Sequence, residues 1–214
     1  AAHAASGYAR ISGRPGVCIA TSGPGATNLL TGIASAYMDS IPLVVITGQV
    51  RSDLLGRDVF QEADITGAAE PFTKHSYIVK RAADIPQIFK EAFHIASTGR
   101  PGPVLIDVPI DMQQHSFSNF TYDKPVDIIG YKPRIQGHSL QVRKAVEALA
   151  ACKRPVLCAG GGVFSADAQK ELAAFVEKYH MPTVTTMMGI GALPSDHPYY
   201  LDMLGSLSSA PAHK

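Results

Sequence analysis

Two runs in this chain, Ile41–Thr47 and Pro103–Pro109, carry apolar residues at odd and even positions alike. A strand with water on one side alternates apolar and polar residues. A strand that is apolar on both faces is buried on both, as happens in a parallel sheet covered by helices. Strand-like and helix-patterned runs alternate around these two, joined by short turns containing glycine. That alternation predicts an α/β fold built of doubly wound, mainly parallel sheets.

Along the chain, Ala1, Ala4, Ala5, Tyr8 and Ala9 keep helical spacing until Gly13-Arg14-Pro15-Gly16 stops it. A short strand is expected at 17–21, then a helix from Ala26 to Tyr37 with Leu29, Leu30, Ile33, Ala34 and Tyr37 on one face. Residues 48–72 are polar and irregular, and Thr73–Lys80 reads as a strand. Asp84 and Gln87 have capping-box spacing, Pro86 suits a first helical turn, and Ile88, Phe89, Ala92, Phe93, Ile95 and Ala96 form the core face of the helix that follows. Residues 112–137 lose all period and contain Pro125 and Pro133, as an interdomain linker does. The expected division is a domain over 1–115, a linker over 116–135 and a second domain over 136–214. There Ser139 should cap a helix with Leu140, Val146 and Leu149 inward, followed by a strand at Pro155–Ala159, a turn at Gly160–Gly162, a helix at Asp167–Tyr179 and a strand at Pro182–Thr186. Two strands make an incomplete sheet, so the second domain is expected to continue past this sequence.

Composition narrows the class. A formal net charge of +1 and scattered Lys and Arg give no pull toward nucleic acid or a membrane surface. No run approaches a membrane span, and no basic segment followed by an apolar one marks a leader. Cys18, Cys152 and Cys158 are odd in number and lack metal-ligand or disulfide spacing, which fits a reducing cytoplasm; Cys18 and Cys158, in apolar runs, are expected to be small buried hydrophobes. The eight histidines never pair at helical ligand spacing, and no metal site is expected from these residues.

Ligands of open α/β sheets sit at the carboxyl ends of the strands. The loops there are 21–28, 47–62 and the 160–164 turn. Thr21-Ser22-Gly23-Pro24-Gly25-Ala26-Thr27-Asn28 sits where a strand hands over to a helix, which suits a cofactor, another subunit, or nothing more than a tight turn. The 47–62 loop is dense in polar groups, yet sets Phe60 beside Gln61. Gly160-Gly161-Gly162 offers backbone amides to a phosphate or dinucleotide, but it is not G-x-G-x-x-G.

Together these segments resemble one family. Ser22-Gly23-Pro24-Gly25-Ala26-Thr27-Asn28, Tyr37-Met38-Asp39-Ser40-Ile41-Pro42 through Thr47-Gly48-Gln49, Phe60-Gln61-Glu62, Thr73-Lys74-His75, Arg100-Pro101-Gly102-Pro103-Val104, Gly160-Gly161-Gly162-Val163 and Leu201-Asp202-Met203-Leu204-Gly205 are similar, in order and spacing, to thiamine-diphosphate-dependent enzymes of the acetolactate synthase type. The resemblance implies most of a pyrimidine-binding domain over 1–115 and the first part of a Rossmann-like central domain, which in these synthases carries FAD, over 136–214. It implies condensation of pyruvate, after decarboxylation, with a second 2-keto acid in branched-chain amino acid synthesis. Thr21, Pro24 and Asn28 would line the thiamine pocket. Gln61 would reach the active site of a partner subunit, with Phe60 beside the substrate channel. Arg100, Gly160, Gly161, Gly162, Thr186, Met187, Leu204 and Gly205 would approach FAD. Mg²⁺ would be held by a diphosphate-binding domain outside this sequence. The partners implied are a second copy of the subunit, in a dimer or tetramer, and a regulatory subunit.

The family's catalytic glutamate would lie three positions upstream of Ala1, so the 214-residue chain alone is expected not to turn over pyruvate. Arg51 stands where many synthases have Pro, Ile110 where they have Lys, and Ser206–Pro211 where they continue Met-His-Gly. Two other readings accompany this one. One is a related thiamine enzyme: a glyoxylate carboligase, pyruvate oxidase or sulfoacetaldehyde acetyltransferase. The other is a non-catalytic domain that binds nucleotide or self-associates. The Phe60-Gln61-Glu62 and Thr73-Lys74-His75 segments favour the synthase.

Overall fold

The structure, a computed structural model, describes residues 1–116, 122–123 and 125–205. The chain divides into two units, residues 1–135 and 136–214.

In the first unit α1 (Ala2–Ser12) leads into β1 (Gly16–Ala20), and α2 (Pro24–Thr27) and α3 (Leu30–Met38) precede β2 (Leu43–Gln49). Then come α4 (Ile65–Ala69), β3 (His75–Ile78), α5 (Ile85–Ser97), β4 (Pro103–Pro109) and α6 (Ile110–Gln114). The sheet order is β1-β2-β4-β3, parallel throughout. β2 and β4, the two runs apolar on both faces, hold the middle, with Leu43 opposite Pro103 and Gln49 opposite Pro109. Every residue of β4 is buried. Val44, Val104, Ile106 and Val108 face α5, which contributes Ala92, Ile95 and Ala96 to the same core, with Ile88, Phe89 and Phe93 half-buried against it. Fully burying one such large side chain stabilises by ~1.5–3 kcal/mol. On the other face α1 lies so close to β1 that a Cβ on Gly16 would stand 2.1 Å from the Ala5 carbonyl oxygen.

Several local expectations change. β1 is an edge strand with alternating burial, and Val17 and Ile19 are exposed. α1 turns Ala2, Ala5, Ser6 and Ala9 inward and leaves Tyr8 outside. The helix expected from Ala26 to Tyr37 is interrupted at Asn28 and Leu29: the Leu29 amide donates to Ala26 O at 3.0 Å, an i→i+3 bond that tightens the turn and sends Leu29 into the core. Asp84 does not cap α5. Its own backbone is already helical, and its carboxylate pairs with Arg81 at 2.7 Å while Gln87 donates to Glu91. Beyond α6, Tyr131 donates to the Thr98 carbonyl at the end of α5 (2.9 Å) and accepts from Lys74 (2.9 Å).

In the second unit α7 (Ser139–Ala151), β5 (Leu157–Ala159), α8 (Gly162–Ser165), α9 (Gln169–Tyr179), β6 (Thr183–Thr185) and β7 (Tyr200–Met203) follow in turn. The three strands form a parallel sheet in the order β5-β6-β7, so β7 is one strand more than the sequence suggested. Ala159, Val176, Met181, Val184, Ala192 and Leu193 are buried there. α7 buries none of its residues, and Leu140 and Val146, expected inward, are exposed. Apolar spacing marks a face that suits burial, but only a packed neighbour buries it. His138 rather than Ser139 occupies the cap position, without a side-chain bond. Cys18 is buried as expected; Cys158 is exposed, on the face of β5 opposite the buried Ala159. Among the described residues no helix is long and apolar enough to cross a membrane.

Candidate cofactor site

The first cluster forms at the carboxyl ends of β1, β2 and β4. β1 ends at Ala20, and the chain turns through Gly23 at φ 57°, ψ −122°, before Pro24 opens α2. That backbone favours glycine. Space enforces it too, because a Cβ on Gly23 would stand 2.9 Å from the Gln61 carbonyl oxygen and 3.0 Å from the Gln61 Cβ. The turn and the Phe60–Gln61 segment, far apart in sequence, are therefore in van der Waals contact. Thr21, Pro24, Asn28 and Gln61 are all exposed, and Phe60 is 88% exposed. Beside the turn lies a cavity of about 670 Å³, lined by Ile19, Thr21, Ser22, Ile46, Phe89 and Val108 among others.

Several polar groups of the 47–62 loop are fastened internally, while Arg51, Asp53, Arg57 and Asp58 are exposed to solvent. Glu62 accepts from the amides of Gly56 (2.5 Å) and Val59 (3.1 Å), and these bonds hold its carboxyl below the usual range. Asp111 on α6 accepts from the Ser52 amide (3.0 Å) and hydroxyl (2.5 Å) and is held low in the same way. Behind the loop, Asp107 is buried and accepts from Thr47 Oγ1 (2.6 Å) and Gln49 Nε2 (2.9 Å). Burial pushes its pKa up to about 6 and nearby Asp64 adds to the rise, while the Thr47 and Gln49 bonds oppose it. Sequence reasoning passed over Asp107. The available signal was a charge in the middle of Pro103–Pro109, with Thr47 at the matching place in the other central strand.

Arg100 lies in the first unit, and its guanidinium has local partners. Nε donates to Ser40 Oγ at 2.7 Å, a terminal nitrogen reaches the carbonyls of Tyr37 (3.3 Å) and Met38 (3.2 Å), and the group lies over the Tyr37 ring. A cation at those last carbonyls stabilises the end of α3.

The second cluster forms at the carboxyl ends of β5, β6 and β7. Thr186 N–H donates to Ala159 O at 2.9 Å, a Cβ on Gly160 would meet Thr186 Oγ1 at 3.5 Å, and a Cβ on Gly162 would meet nothing within 4 Å. Leu204 N–H donates to Thr185 O at 2.8 Å, which brings Leu204 and Gly205 to the same end of the sheet, and Met187 is 68% exposed. The structure thus gathers Gly160, Gly161, Gly162, Thr186, Met187, Leu204 and Gly205, as it gathers Thr21, Pro24, Asn28, Phe60 and Gln61 in the first unit. Ser206–Pro211 lie outside the described residues.

Comparison with known proteins follows the same two-part division. Residues 1–68 match the family described as thiamine pyrophosphate enzyme, N-terminal TPP binding domain, and residues 142–214 match thiamine pyrophosphate enzyme, central domain. The chain belongs to the thiamine pyrophosphate enzymes. The acetolactate synthase large subunit of Buchnera aphidicola is 52% identical over 206 residues, covering 96% of this chain and 36% of that protein. The corresponding protein of Corynebacterium glutamicum is 53% identical over 205 residues, covering 96% of this chain and 33% of that one. The probable acetolactate synthase large subunit of Methanococcus aeolicus is 49% identical over the whole of this chain and 36% of its own length. The chain thus spans about a third of the length of the curated relatives it matches. The first match includes the 21–28 turn and Gln61, and the second includes the cluster at the ends of β5–β7.

Proposed function

We propose that this chain is the cofactor-cradling part of an acetolactate synthase large subunit, in which the 21–28 turn and the Phe60–Gln61 segment form one wall of a thiamine diphosphate site. The observation that carries this reading is the seating of Gln61 on Gly23, beside a cavity at strand ends, in a chain whose relatives bear the synthase name. The residues present fit the cofactor. A flat aminopyrimidine needs a wall without a protruding side chain, edged by polar groups. Pro24 supplies a flat apolar face, exposed Thr21 and Asn28 the polar edge, and buried Gly23 lets Gln61 close against the turn. When bound, thiamine diphosphate supplies the nucleophilic carbon that attacks a 2-keto acid such as pyruvate and holds the electron pair left by loss of CO₂. Gln61 would orient the substrate by hydrogen bonds, and Phe60 would shield it from water.

Mg²⁺ would be held, as the resemblance implies, by a diphosphate-binding domain outside this sequence. FAD suits the second cluster, where the backbone at Gly162 is open enough for a phosphate or ribityl group and Thr186 offers a hydroxyl. Phe60, so exposed on a fastened loop, suits a contact with a second copy of the subunit. Unpaired cysteines suit the cytoplasm.

Nitrogen-correlated NMR spectra of the chain, titrated separately with thiamine diphosphate plus Mg²⁺ and with FAD, test the reading. Shifts are expected at Thr21–Asn28 and Gly48 for the first ligand, and at Gly160–Gly162 and Thr186 for the second. Gly23→Ala should abolish the first set and spare the second. Saturating ligand that moves neither cluster would overturn the proposal.

A further inference from the structure

We propose that Asp107 is a positioning residue: by accepting from Gln49, which itself donates to the Ala63 carbonyl, it fixes the loop that carries Phe60 and Gln61 against the 21–28 turn. This rests on the reading that turn and loop form one site.

The geometry runs through one side chain at a time. Thr47 lies opposite Asp107 in the β2–β4 register and Gln49 lies two residues on, so all three side chains share a face of the sheet. Gln49 Nε2 donates to Asp107 Oδ2 at 2.9 Å and to Ala63 O at 2.8 Å, and Gln49 Oε1 accepts from the Val50 amide at 2.9 Å. The Gln49 amide thus has both protons and its oxygen engaged, and a flip would set a donor against the Val50 amide and an acceptor against two oxygens. Ala63 is two residues from Gln61, which is held at φ 59° under Gly23. Its carbonyl also accepts from the Ile65 amide at 2.8 Å, at the entry to α4.

The residue type at 107 matters. Two donors converge on it, the Thr47 hydroxyl and the Gln49 amide, and an ionised carboxylate accepts from both. Asparagine has one acceptor oxygen and would turn its own NH₂ toward one of the two donors. Glutamate is longer by a methylene, and Asp107 is only 1% exposed in a packed interior. A buried ionisable group is costly, as the raised pKa of Asp107 records, and a core strand built for stability alone would do better with an apolar residue. Satisfying two donors, one of which holds the loop, is a reason to keep the carboxylate.

Amide hydrogen exchange of the full 214-residue chain, without ligand and near pH 7.5, tests this. The reporters are the amides of Gly56, Val59, Glu62 and Ile65, each bonded within the loop or at its exit. Asp107→Asn and Gln49→Leu should each speed their exchange about tenfold, the equivalent of losing one hydrogen bond to a charged group. The double variant should be no faster than the faster single one, because both act on one chain of contacts. Thr47→Val removes the other bond to Asp107 without touching Gln49 and should leave the loop unchanged. Amides in 43–46 and 103–106 should stay protected in all variants. Loop exchange unchanged in Gln49→Leu, or raised as much by Thr47→Val, or raised equally in the central strands, would overturn the inference. If Asp107→Asn does not fold, Gln49→Leu and Thr47→Val carry the comparison alone. Cofactor titration judges the site reading and ligand-free exchange judges this one, so the two fail separately.

Discussion

Asp107 makes the stability of the first unit depend on pH in an unusual direction. Most carboxylates that matter to a fold are stabilised as anions, and the fold weakens in acid. Asp107 is buried, and its pKa rises from 3.8 to about 6. Between those values the folded chain holds a proton that the unfolded chain has lost, so stability falls as pH rises from about 4 through 6 and then levels off. A gap of about 2 pKa units corresponds to about 3 kcal/mol in full, of which about 2 kcal/mol lies between pH 4.5 and 7. Glu62, Asp111 and Asp127 are shifted the other way and lose stability as pH falls, so the raw profile of the protein mixes both signs. The difference between the wild-type chain and Asp107→Asn cancels those common contributions. Urea unfolding of both proteins, followed by circular dichroism at half-unit pH steps, gives that difference. The stability of the wild type relative to the variant should fall by about 2 kcal/mol between pH 4.5 and 7. A constant difference, or one in which the wild type gains as pH rises, would refute the argument that Asp107 is a desolvated acid.

Two further outcomes follow from packing and from the loop. Gly16→Ala places a Cβ 2.1 Å from the Ala5 carbonyl and forces α1 away from β1; a loss of about 1–3 kcal/mol is expected, measured by urea unfolding, and a neutral substitution would show that α1 is not seated as described. Glu62→Gln weakens acceptance from the Gly56 and Val59 amides, so limited proteolysis within 54–61 should accelerate while the unfolding midpoint barely moves; unchanged cleavage would show that the loop is held by other contacts.

The parts of the fold most legible in the sequence were those whose environment is uniform. Leu43–Gln49 and Pro103–Pro109 are buried on both faces, and their composition says so without help from neighbours. The inward face of α5 was legible for the same reason, since one continuous core covers it. β7 was missed because Tyr200–Met203 mixes polar and apolar residues and pairs with β6 through an irregular register. α7 has a readable apolar stripe, but the stripe does not say what covers it. Asp84 had the spacing of a cap, yet both oxygens of its carboxylate are taken by Arg81. At the site, the turn and the Phe60–Gln61 pair could be singled out individually. Their contact could not, because it depends on Gln49, Ala63 and Asp107 meeting across a register that only the assembled sheet defines.

The strand order also sets a timetable for synthesis. β2 and β4 are neighbours in space, yet Thr47 and Asp107 are 60 residues apart in the chain. On a ribosome β2 is therefore complete long before its inner partner exists, and until then Leu43, Val44 and Val45 have only β1 as a strand neighbour. Closing so long a loop costs entropy before any contact repays it, and a nascent apolar strand with an open edge is prone to pair with the wrong partner. The Gln49–Asp107 bond comes after that closure. The loop bearing Phe60 and Gln61 can thus be locked only once the centre of the sheet has zipped, so a chain stalled before residue 103 has the turn but no finished binding surface.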